Sequence, residues 1–217
     1  MAKGGARDNR IYAILAIAII VVILFAVFFS TNQLTEAYID DYVLVDGWSE
    51  DIGERDSGSQ LLGLEKWVSY TYRINDSVFL AYVTVTSFKT LFMMSESDLS
   101  DQTLDTIQKA SEQGIIIDED SRITGELTLS NGHKATYTIY DGNDTSQEPN
   151  EEIKIIGEYW NCGTSGTSVI CIGFAQVTKD SETDMSHWAK IVRDEEGTFG
   201  LGEFQGTDGL IFNVKCH

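Results

Sequence analysis

The sequence predicts an α+β protein in which a single N-terminal transmembrane helix precedes an antiparallel β-sheet domain flanked by helices. Three observations predict it. Residues 11–30, IYAILAIAIIVVILFAVFFS, contain no charged side chain. Residues 64–73 and 77–89 are rich in aromatic and β-branched residues and alternate with the period of a strand. Residues 97–114 and 182–193 switch to the period of a helix.

As a helix rising about 1.5 Å per residue, 11–30 covers about 30 Å, the thickness of a bilayer's hydrocarbon core. Lys and Arg accumulate on the cytoplasmic side of such a span. Residues 1–10 carry Lys3, Arg7 and Arg10 against Asp8, whereas the whole chain carries −19. The basic tail 1–10 is therefore expected in the cytoplasm and the acidic body outside, as in a single-pass protein of the cell membrane. A cleaved signal peptide has a shorter apolar region ending in small residues. This run ends Phe28-Phe29-Ser30 and reads as an anchor.

The chain beyond the span has the length of one folded domain, and the 42% hydrophobic content of the protein is enough to give it a core. Thirty-four acidic residues against fifteen basic ones exclude nucleic acid as a partner, because the same Coulombic force that draws basic proteins to phosphate repels this one.

In order, 31–63 reads as a stalk with a first strand over 37–48 and a charged loop over 49–58. The domain proper is expected over 64–217. The strands 64–73 and 77–89 form a hairpin about Asn75-Asp76, and the helix 97–114 is capped by Ser97 or Ser100, with Leu104 and Ile107 on its apolar face and Gly114 as its stop. Further strands are expected over 115–117, 122–129, 133–140, 153–161 and 168–177, with Asn131-Gly132 as a hairpin turn. Met185, Trp188, Ala189 and Val192 recur at helical spacing in the second helix, and 210–215 is a last strand.

Cys162 and Cys171 flank a hairpin with Gly166-Thr167 at its tip. That register makes 162 and 171 a closely spaced, non-hydrogen-bonded pair, so a disulfide between Cys162 and Cys171 is expected, and Cys216 is left over.

The order strand, strand, helix, four strands, helix, closed by W-x-x-I-V-R-D-x-x-G-T-F from Trp188 to Phe199, resembles the PsbP-like fold family over about residues 64–199. The resemblance implies an α/β/α sandwich that binds and stabilises other proteins, or assists their assembly, without catalysis. The chain departs from that family in its single proline, Pro149, in its own span and in the Cys162 hairpin, and no site residue carries over by position.

Catalytic chemistry is not legible. Nucleophilic catalysis needs a base beside Ser or Cys, and the three histidines, His133 at a hairpin tip, His187 beside Trp188 and His217, sit in no such pattern. Cys216 and His217 could make a metal corner, but two ligands are too few for zinc. The loop 141–152 has oxygens at Asp141, Asn143, Thr145 and Glu152, yet Ser146 stands where a calcium loop needs glycine. Asn75 and Asn143 begin N-x-[ST] sequons in expected turns and are candidate glycosylation sites. The sequence thus leads to the expectation of a membrane-anchored accessory domain, with no cofactor, that stabilises or assembles a membrane protein complex by binding a protein partner. A surface-filament subunit and a ligand-binding or enzymatic ectodomain are the alternatives.

Overall fold

Two antiparallel meanders joined edge to edge make the main sheet. The structure is a computed structural model and describes residues 33–60, 64–74, 80–109, 114–145, 151–177 and 182–217. In the first meander β2 (Trp48–Glu50) and β3 (Asp56–Gln60) both pair with β4 (Glu65–Ile74), which pairs with β5 (Ala81–Lys89). In the second, β6 (Ile115–Thr128), β7 (Lys134–Asp144), β8 (Glu151–Cys162) and β9 (Thr167–Gln176) follow one another. Pairing of β5 with β9 closes the order β2-β4-β5-β9-β8-β7-β6, antiparallel throughout. The remaining strands, β1 (Tyr38–Ile39) and β10 (Val214–Lys215), pair with each other.

Period-2 alternation gives the sheet two different faces. On one, Tyr70 and Tyr72 of β4 meet Val85 and Val83 of β5 in the main core. On the other, the hydroxyls of Ser69 and Thr86 lie 3.0 Å apart and those of Thr71 and Thr84 3.3 Å apart. Strand β9 is buried at all but one of its residues and β8 has no exposed residue, because both of their faces are covered.

Helix α1 (Glu96–Gln108) covers one face. Ser95 starts it with a capping box: the Ser95 hydroxyl accepts from the Asp98 amide at 3.1 Å, and the Asp98 carboxylate accepts from the Ser95 amide at 3.3 Å. Leu99, Thr103 and Ile107, one turn apart, point to the sheet, and burying the two aliphatic side chains contributes about 1.5–3 kcal/mol each. Helix α2 (Glu182–Val192) lies on the opposite face. Glycines allow both approaches: a Cβ at Gly157 would lie 2.7 Å from Ile107 of α1, and one at Gly173 would lie 2.6 Å from Ile191 of α2. Beyond α2, Lys190 and Arg193 grip Asp208 at 2.8 and 2.5 Å and fold the segment 194–210 back onto the helix.

Several expectations are corrected. The described chain is a mostly antiparallel β protein, 48% strand with two helices, and each helix covers only part of one face, so the layered α/β/α sandwich of a PsbP-like domain is not formed. Among the described residues no helix is long and apolar enough to cross a membrane, and a transmembrane helix is not part of the described architecture. The run 11–30, on which the expectation of that helix rests, lies outside the described residues. The strand expected over 37–48 is broken first after Ile39, where the chain turns and the Val43 amide donates to Asp40 O at 2.9 Å, and again where Asp46 and Gly47 turn it with φ of 58° and 88°. The charged 49–58 contains β2 and β3 residues rather than only loop, since the edge of β4 offers it hydrogen-bonding partners. Leu34–His217 forms one compact unit.

Candidate functional site

A cleft of about 470 Å³ opens where β1 and the turn 40–42 pass over β4. Four tyrosines line it, Tyr38, Tyr42, Tyr70 and Tyr72, together with Asp40, Asp41 and Glu50. The odd-even pattern of β4 places Tyr70 and Tyr72 on the same face, and the paired strands β1 and β10 hold Tyr38 above them. The Tyr72 hydroxyl accepts a 3.0 Å hydrogen bond from the Ile39 amide. Tyr70 donates to the Glu36 carboxylate; burial first, and then that negative partner, push its hydroxyl up to about 12.

Two basic side chains of the chain already use this surface. Arg55 lies 4.4 Å over the Tyr70 ring and bonds Glu50 at 2.8 Å. Lys215 lies 5.5 Å from the Tyr42 ring and pairs with Asp40. Each is a cation held between an aromatic face and a carboxylate, an arrangement that favours ammonium and guanidinium groups. Tyr38, 41% exposed, and the exposed Asp41 offer the same two elements to solvent.

Where the β6–β7 turn, the end of β8 and the residues after β10 meet, a second group of side chains converges. His133, Cys162, Cys216 and His217 bring their ligand atoms within 4.8 Å of one another. Extending the β7–β8 register, in which Thr136 faces Tyr159, sets His133 opposite Cys162. The turn before His133 is tied to the last strand by the Ser130 amide donating to Phe212 O at 3.0 Å and by the Asn131 amide group donating to Val214 O at 2.8 Å. These bonds carry Cys216 and His217 to the same place. Burial opposes ionisation of Cys162, but hydrogen bonds from Cys216 and Ser165 outweigh it and hold the thiol below its ordinary value. Burial, followed by the hydrogen bond and charge of Cys162, pushes Cys216 up to about 12.

The remaining predicted positions fall elsewhere. Cys162 pairs with Thr167 and Cys171 with Glu158, because the hairpin tip spans 163–166 rather than Gly166-Thr167 alone; both thiols are free and the Cys162–Cys171 disulfide is not formed. Asn143 lies within β7, paired with Ile116 and Glu152, rather than in a turn, and Asn75 lies outside the described residues. Asp141, the first position of the supposed calcium loop, is in β7 and pairs with Lys154 at 2.5 Å, while 146–150 lie outside the described residues. His187 is buried on α2. The convergence of His133 with the cysteines is not legible in the sequence, since it depends on β10 returning beside the β6–β7 turn. The tyrosine cleft has one signal there, the Y-x-x-x-Y spacing of Tyr38 and Tyr42 around Asp40-Asp41.

No family model, no curated protein and no solved structure matches the chain.

Proposed function

We propose that the domain is a non-catalytic accessory subunit, displayed outside the cytoplasm, that binds a partner protein of a membrane complex through lysine or arginine side chains of that partner. The observation that carries this reading is the tyrosine cleft, where Arg55 and Lys215 already occupy two ring-and-carboxylate pairs and the exposed Tyr38 and Asp41 line the same cleft. The charge of −19 adds a long-range attraction for a basic surface, felt over about 8 Å at physiological salt. The basic residues 1–10 against an acidic remainder support the extracytoplasmic placement.

Fluorescently labelled oligolysine and oligoarginine peptides, with an oligoglutamate control, test the reading by anisotropy. The basic peptides are expected to bind, to weaken as salt rises, and to lose about tenfold in affinity when Tyr38→Ala and Asp41→Asn are combined, in line with a cation–π contact and a partly screened charge pair. Equal binding by the parent and the double variant would reject the cleft as the site.

A further inference from the structure

We propose that His133, Cys162, Cys216 and His217 form a four-coordinate site for a divalent ion of the zinc class, which fastens the last strand of the domain to two hairpin ends. This site is remote in sequence from the tyrosine cleft's carboxylates and does not rest on the binding reading above.

The distances are those of ligands around a common centre. Zinc bonds of about 2.3 Å to sulfur and about 2.0–2.1 Å to nitrogen, arranged tetrahedrally, put a sulfur and a nitrogen about 3.6 Å apart. Nδ1 of His217 lies 3.5 Å from the sulfur of Cys162 and 3.6 Å from that of Cys216. A disulfide would instead need the sulfurs at about 2.05 Å. Here an imidazole nitrogen sits equally near both sulfurs, which suits a shared ion better than a cysteine pair.

The donor set has the matching chemistry. Two thiolates and two imidazoles are the ligands of closed structural zinc sites, and two thiolates neutralise the charge of the ion. Binding releases protons in proportion: one divalent ion and two thiols give one bis-thiolate complex and two protons.

The site is also built. Cys162 and Cys216 are fully buried in the main core, so an ion between them would be shielded from water. Nε2 of His133 is shielded from solvent and has no hydrogen-bond partner, although a buried ring nitrogen ordinarily has one. A metal bond would satisfy it. The His133 amide donates to the Asn131 side chain at 2.9 Å, and His133 O accepts from the Leu129 amide at 2.9 Å, so the backbone bearing this ligand is fixed from both sides. Gly132, at φ +83°, makes that tight turn possible. The rings of His133 and His217 meet edge to face with centroids 5.4 Å apart.

Three separate pieces of chain meet at this point: the turn between β6 and β7, the end of β8, and the residues after β10. Cys216 and His217 follow a two-residue strand whose pairing with β1 involves only Tyr38 and Ile39. So short a pairing holds the segment weakly by itself, and an ion would add a covalent-strength link to the sheet.

The test titrates the reduced full chain with cobalt(II) as a spectroscopic probe, followed by displacement with zinc. One cobalt per chain is expected, with the intense visible bands of a tetrahedral site and a near-ultraviolet thiolate-to-metal band, both lost when zinc is added. His217 is exposed, so His217→Ala can lose a ligand without opening the core; it is expected to weaken zinc by at least about 100-fold, more than the 10–100-fold typical of outer-sphere changes. Cys216→Ser should abolish the near-ultraviolet band of that sulfur. Absence of cobalt uptake by the reduced chain, the weak spectrum of an octahedral site, or His217→Ala binding as tightly as the parent would each overturn the proposal.

Discussion

The amide of Ile39 donates its hydrogen bond to the hydroxyl of Tyr72 rather than to a neighbouring strand, at 3.0 Å and inside the core. Through this bond the short strand β1 is fastened across the face of β4, and with it one wall of the tyrosine cleft. Burial pushes the Tyr72 hydroxyl far above its ordinary value, so it remains protonated under all ordinary conditions.

Tyr72→Phe keeps the ring and removes only the acceptor, leaving the Ile39 amide buried without a partner. The cost is expected to be about 1–3 kcal/mol, the penalty of an unsatisfied buried donor. Urea denaturation measures it as a lower midpoint with an unchanged slope. A midpoint equal to that of the parent would show that Ile39 finds another acceptor.

At Gly173 α2 lies close on the sheet, and an added methyl there would lie 2.6 Å from Ile191 and 2.8 Å from Ile156. Both neighbours are fully buried and have nowhere to move. Gly173→Ala is expected to destabilise by about 1–3 kcal/mol through overpacking. Gly163→Ala, at a hairpin tip where a methyl meets nothing within 4 Å, should stay within about 0.5 kcal/mol. Thermal unfolding of the two variants side by side decides this, and an equal change in both would reject overpacking against Ile191 and Ile156 as the cause.

Local signals in the sequence are legible wherever the chain itself decides the structure. The alternation of β4 and β5, the Asn131-Gly132 turn and the stripe of α2 all depend on neighbours within a few residues, and all three are present. The register of the β8–β9 hairpin is not legible, because a four-residue tip and a two-residue tip fit the same composition, and the difference moves Cys162 away from Cys171. The run W-x-x-I-V-R-D-x-x-G-T-F has a local explanation: Ile191 packs on Gly173, Arg193 binds Asp208, and the Asp194 carboxylate accepts from the Thr198 amide and hydroxyl at 2.9 and 2.6 Å. Such a motif specifies how a helix ends, which many folds share. Beyond the spacing of Tyr38 and Tyr42, neither candidate site is legible in the sequence, because each joins β1 or β10 to distant strands, and pairings of such separation leave no local periodicity.

Glu158 supplies the last prediction. It faces Cys171 on the covered side of β8, fully buried, and its Oε1 has no hydrogen-bond partner. Burial first, and then the nearby charge of Asp194, raise its carboxyl well above the ordinary value of 4.5, so the folded chain keeps the proton where the unfolded chain loses it. Linkage sets the sign. Below 4.5 both states are protonated and the neutral carboxyl contributes in full; as pH rises past 4.5 the unfolded state gains by ionising, and stability falls until the folded carboxyl also ionises. Glu158→Gln removes the titration and keeps the shape. The stability difference between variant and parent should therefore grow in favour of glutamine as pH rises from about 4 to 7, with a slope no steeper than about 1.36 kcal/mol per pH unit. Because all other titrating groups are common to both proteins, they cancel in that difference to first order. Urea unfolding of the pair across this range provides the measurement, and a difference that does not change with pH would mean that Glu158 holds its proton no more tightly in the folded chain than in the unfolded one.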